Sequence, residues 1–120
     1  MGRRGRRRAT DGAQRAAAVE YRNDEGDVLF LRSALTPATR REYAAVRAGS
    51  PLSGEDAWQR AVEFLFERLA VRWEIAGAEP LTGQRELLGR LRFASAPERA
   101  WVRDALRAHL AEHFPEMDAP

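Results

Sequence analysis

The sequence predicts a mainly α domain of the α+β class: three to four helices preceded by a short N-terminal β-hairpin or strand. Three observations lead there. Residues 54–76 repeat their apolar side chains at helical spacing over a long stretch. Thr36-Pro37 and Ser95-Ala96-Pro97-Glu98 are helix-start signals. Ahead of them all, Val28-Leu29-Phe30-Leu31 is a short apolar run of strand formers placed behind the turn residues Asn23-Asp24-Glu25-Gly26-Asp27. A chain of 120 residues, 44% hydrophobic and 8% aromatic, fits one globular domain able to bury a core.

Residues 1–15 read as a disordered Arg-rich arm and 16–118 as a single helical domain with an N-terminal strand segment. The arm holds Arg3, Arg4, Arg6, Arg7, Arg8 and Arg15 against Asp11 alone, with no apolar periodicity. Its glycines and like charges oppose order. The first strand lies near Ala18–Tyr21, although AQRAAAVE reads equally well as helix. Thr36 then supplies a capping hydroxyl and Pro37 a first helical residue. That helix runs through Tyr43 to about Ala48, where Gly49 ends it. Ser53, with Asp56 three residues on, opens the longest helix, about Gly54–Ala76, closed by Gly77. Trp58, Val62, Leu65, Leu69 and Trp73 form its buried stripe. A short helix follows from Gln84 to about Leu91. The last helix begins at the Ser95 cap and ends near His113, because Phe114-Pro115 stops it.

The 20 basic residues barely exceed the 18 acidic ones, so with six arginines in the arm the body is mildly acidic. There is no cysteine, which excludes a disulfide frame, a thiolate metal site and a cysteine nucleophile and fits a reducing compartment. No apolar run approaches the roughly 18 residues of a membrane span. No apolar segment follows the basic N-terminus, so no signal peptide is expected. Glu63–Arg68 and Glu67–Arg72 read as pairs on a solvated helix face.

The most chemically loaded stretch is His109-Leu110-Ala111-Glu112-His113, with the spacing of an inverted zinc-protease motif. Two histidines at i and i+4 can face one metal, and Glu112 could act as a base. A catalytic zinc takes a third protein ligand, however, and these are the only histidines in the chain. A histidine near a helix C-terminus also has an ordinary role, favoured by the helix dipole. Both are expected to be structural. With no nucleophile elbow and no phosphate-binding glycine loop either, no catalytic residue, cofactor or metal is expected.

EGDVLFLRSALTPATRREYAAV, DAWQRAVEFLFERLAVRWEIAG and GQRELLGRLRFASAPERAWVRDALRAHLAEHF together resemble the tail assembly chaperones of long-tailed bacteriophages. The resemblance covers residues 25–117 by order and spacing. It rests on Phe30, Leu31 and Arg32 leading into Thr36-Pro37, on Tyr43 in the helix that follows, and on the Trp73-Glu74-Ile75-Ala76-Gly77 segment. It implies a non-enzymatic protein of the bacterial host cytoplasm, absent from the mature virion. Such a protein binds the long helical tape measure protein and keeps it soluble while the tail tube forms. The tail tube protein is a second expected partner, and self-association is compatible with the role. The resemblance also implies a longer frameshifted product, whose extension would begin at residues 115–120.

The residues themselves suit that role, since a small helical body with surplus apolar surface is the setting for helix-in-groove binding. Tyr43, Phe66, Trp73 and Ile75 are the expected partner contacts, Phe66 and Ile75 because they lie off the main stripe. The alternative is a small phage structural or nucleic-acid-binding protein. In that case Arg3, Arg4, Arg6, Arg7 and Arg8 would neutralise phosphates without reading sequence, although Tyr21 is the nearest aromatic for stacking.

Overall fold

The computed structural model describes residues 18–48 and 54–120. Among the described residues, four helices and a three-stranded antiparallel sheet form a small α+β domain. Strands β1 (Val19–Arg22) and β2 (Val28–Leu31) make the hairpin expected from the sequence, and Val19 pairs with Leu31. Its turn is held by side chains. Asn23 Oδ1 accepts from the N–H groups of Glu25 and Asp27 at 3.0 and 2.9 Å, and Gly26 takes the positive φ of 88° that glycine adopts at little steric cost. The Asp27 carboxylate is buried; it accepts from Asn23 Nδ2 and from the Ala76 N–H, both at 2.9 Å. The second of these bonds ties the hairpin turn to the far end of the third strand.

Helix α1 (Pro37–Ala48) starts as the Thr36-Pro37 signal requires, with Thr36 Oγ1 accepting from the Thr39 N–H at 3.1 Å. Helix α2 (Gly54–Leu69) is shorter than the sequence predicts. Gly49 and Ser53, expected to end one helix and cap the next, lie outside the described residues, as do the arginines of the arm.

The expected continuation of α2 to Ala76 is corrected: Ala70–Glu74 is strand β3, following the helix without a loop. It pairs antiparallel with β2, Leu29 opposite Trp73 and Val28 opposite Glu74, with a register shift at Phe30/Leu31. The physical reason lies in β2. A strand that reads VLFL, with Val28, Leu29 and Leu31 buried, is a central strand and needs a neighbour on each edge. A two-stranded hairpin is marginal alone, and the third strand completes it. Val71, Trp73 and Ile75 are strand formers, so the local cost is small. The helical stripe from Trp58 through Leu69 is real; Trp73 fits the same spacing by coincidence.

Helices α3 (Gln84–Arg92) and α4 (Ala96–His113) follow. Helix α4 carries the full capping box: Ser95 Oγ accepts from the Glu98 N–H at 3.3 Å, and Glu98 Oε1 accepts from the Ser95 N–H at 3.1 Å. Beyond α4 the chain turns back. Phe114 is buried, Glu116 pairs with Arg40, and the Asp118 carbonyl accepts from the Tyr43 hydroxyl. Tyr43, Leu65, Phe66, Leu69, Trp73, Leu106 and Leu110 lie in one core shared by the helices and the sheet. Among the described residues no helix is long and apolar enough to cross a membrane.

The expected surface pairs are also redrawn. Glu63 meets Arg92 of α3 at 3.3 Å, Arg68 meets Glu67 and Glu42 at 3.2 and 3.5 Å, and Arg72 meets Glu74 of its own strand at 2.7 Å. With Arg72 on β3, it is no longer a helical neighbour of Glu67.

Candidate functional site

The two histidines sit on the last turns of α4, where that helix meets the sheet. His109 is wholly buried. Its Nε2 lies 2.6 Å from the Arg32 carbonyl oxygen, and since a carbonyl only accepts, Nε2 carries the hydrogen. In the neutral ring Nδ1 then has the lone pair, and it accepts from the Tyr21 hydroxyl at 2.8 Å. Both ring nitrogens are engaged with protein groups, so no lone pair faces outward for a metal. Burial holds the His109 pKa below the ordinary histidine value, opposed by the bond to Arg32 and reinforced by His113. Burial, with Glu112 nearby, raises the Tyr21 hydroxyl to about 12, so it stays a donor. His113 stacks obliquely on His109, ring centroids 4.7 Å apart. No group of three or more His, Asp or Glu among the described residues is placed to hold a metal ion. This arrangement is a clamp joining α4 to β1 and to the segment after β2.

Of the expected partner contacts, three are closed off in the folded chain. Tyr43 is 2% exposed, and Phe66 and Trp73 are 0% exposed. Phe66 packs edge-on against Trp73 with centroids 5.6 Å apart, inside the core. The expectation that Phe66 is a surface contact is therefore corrected. Helix α2 is covered on several sides, by α1, α3, α4 and β3, so residues off its main stripe are buried too. Burial also raises the Tyr43 pKa to about 12, moderated by Arg47. Ile75 is half-buried at the edge of the core.

The open feature lies elsewhere. A groove of about 540 Å³ runs between α2, the C-terminal end of α3 and the first half of α4. Trp58, Val62, Leu91 and Ala94 give it apolar surface. Glu55 and Glu63 lie on the α2 wall; Arg92, Arg99 and Arg103 lie opposite, with Asp104 beside them. The Arg103 guanidinium stands 3.8 Å from the centre of the Trp58 ring, a cation–π contact, and its Nε donates to the Pro120 carbonyl at 3.2 Å. The Trp58 indole Nε1 is buried without a hydrogen-bond partner among the described residues. Phe93 projects from the rim and is 90% exposed.

Sequence reasoning placed Trp58 on the stripe and did not single out Phe93. A signal for Phe93 exists. Leu87 and Leu91 set the buried face of α3, and Phe93 stands two residues past Leu91, nearly opposite on a helical wheel. It is also the C-cap of α3, with φ −92° and ψ 2°, and two residues ahead of the Ser95 cap. No family model, no curated protein and no solved structure matches this chain.

Proposed function

We propose that this protein is a tail assembly chaperone of the kind made by long-tailed bacteriophages. On this reading it has no catalytic role. It binds a helical segment of the tape measure protein, keeps it soluble in the host cytoplasm while the tail tube polymerises, and does not remain in the mature virion. The observation that carries the reading is the groove between α2 and α4. It has an apolar floor, one acidic wall and one largely basic wall, the shape and lining that a groove for an amphipathic helix requires. The element order read from the sequence is compatible with it except at Trp73-Glu74-Ile75-Ala76-Gly77, where a helix end is expected and the segment instead begins on strand β3.

The test is co-expression with tape measure fragments. An otherwise insoluble fragment should become a soluble complex, and the complex should survive high salt, because apolar burial is not screened as ion pairs are. Ala100→Arg, which fills the groove from an exposed position on α4, should abolish solubilisation while leaving the free protein folded. Failure to solubilise any fragment would falsify the reading. A complex that dissolves in moderate salt once residues 1–15 are removed would instead favour electrostatic binding through the arginine arm.

A further inference from the structure

We propose that the groove between α2 and α4 is also a self-association surface, closed by a second copy of this chain that inserts Phe93. Among the described residues Phe93 is the large hydrophobic side chain left exposed, at 90%. A single exposed apolar residue is ordinary on a protein surface. The position of this one is not. Leu91 and Arg92 before it and Ala94 after it all line the groove, and Phe93 itself does not. The ring therefore stands beside an apolar groove that it does not enter.

A projection next to its own receptor is what a two-fold, isologous contact requires: each copy supplies the ring that the other receives, and the contact closes after two copies. The charges agree with that operation. Phe93 is flanked by Arg99, a turn into α4, and by Arg92, which already pairs with Glu63 of its own chain at 3.3 Å; on the α2 wall of the receiving groove this leaves the Glu55 carboxylate. Placing the Phe93 corner of one copy in the groove of the other brings Arg99 of the first towards Glu55 of the second. The contact thus combines apolar surface with one charge match, and charge of this kind fixes register more than it adds affinity. It does not rest on the chaperone reading, and the purified protein alone tests it.

Sedimentation of the full chain across a range of micromolar concentrations is the experiment. The natural protein should pass reversibly from monomer to dimer. Phe93→Asp should weaken association at least about thirty-fold, the loss expected of a central aromatic anchor. Ala100→Arg, which blocks the receiving side, should do the same, and both variants should keep their circular dichroism and melt as the dilute natural protein does. A natural chain that stays monomeric throughout overturns the proposal. So does a dimer that survives both substitutions, or an assembly that grows past two copies. Loss of tape measure binding with the dimer intact would count against the chaperone reading alone.

Discussion

Phe66 lies where α2 meets the sheet and Phe93 lies where α3 gives way to α4, and their surroundings are opposite: none of the first ring is exposed and 90% of the second is. Around Phe66 every neighbour converges. Trp73 comes from β3 and Leu106 and Leu110 from α4 within the same core, and His109 is held by Arg32 and Tyr21, while the buried Trp73 indole N–H has no partner among the described residues. Around Phe93 the helices part, and the ion pair between Glu63 and Arg92 is exposed. The closed region carries the stability of the fold. At the open one Val62 and Leu91 still belong to the core, but the Phe93 ring takes no part in it, which leaves that ring free to serve a partner.

The two tryptophans give the strongest way to break that comparison. Trp73→Ala should cost about 3–5 kcal/mol, the loss for a fully buried aromatic, read from urea unfolding followed by circular dichroism. Phe66→Asp should fail to fold, since a carboxylate there has neither water nor a partner. Trp58→Ala should cost less, about 2 kcal/mol, because its ring is only partly buried, packed against the edge of the core on one side and capped by Arg103 on the other. Equal losses at Trp58 and Trp73 would mean that the groove is part of the core.

The histidine clamp sharpens the contrast on the closed side. His109→Phe removes both ring hydrogen bonds and should cost about 1–3 kcal/mol for each partner left unsatisfied. It should also change the pH profile. The folded-state pKa of His109 is lowered, so the unfolded chain binds its proton first. Stability is then complete above the unfolded value and falls as pH drops through it, between about pH 7 and pH 5. The natural protein should lose melting temperature over that window, and His109→Phe should flatten the loss. An unchanged slope would show that His109 is not the group responsible.

A smaller effect is expected at the corner itself. Ser95→Ala removes the capping hydroxyl and should cost about 1 kcal/mol. That cap was readable from Ser95, Pro97 and Glu98 because capping is local, and the hairpin turn was readable from Asn23 and Gly26 for the same reason. Strand β3 was not. Its apolar residues satisfy helical spacing as well as strand alternation, and what decides between them is pairing with β2, distant in sequence. The burial of Phe66 followed from the same nonlocal cause, since β3 brings Trp73 onto that face of α2. Of the groove, Trp58 was visible as an aromatic on the stripe. Its openness depends on how α2, α3 and α4 splay, which no local pattern encodes.

The smallest effect belongs to Phe93. Hydrophobic stabilisation follows the apolar area taken out of water, and this ring gives up almost none in the monomer. Its backbone work is independent of the ring: the N–H bonds the Gly89 carbonyl at 3.2 Å, and the angles are ones serine adopts readily. Phe93→Ser should therefore change the stability of the dilute protein by no more than about 0.5 kcal/mol. Concentration then separates the two states. If a second copy covers the ring, the melting temperature of the natural chain rises with concentration, since association favours the folded state by mass action, and that of Phe93→Ser does not. A stability loss in dilute solution as large as that of Trp58→Ala would place the ring against its own chain, and the open region would then be as closed as the one around Phe66.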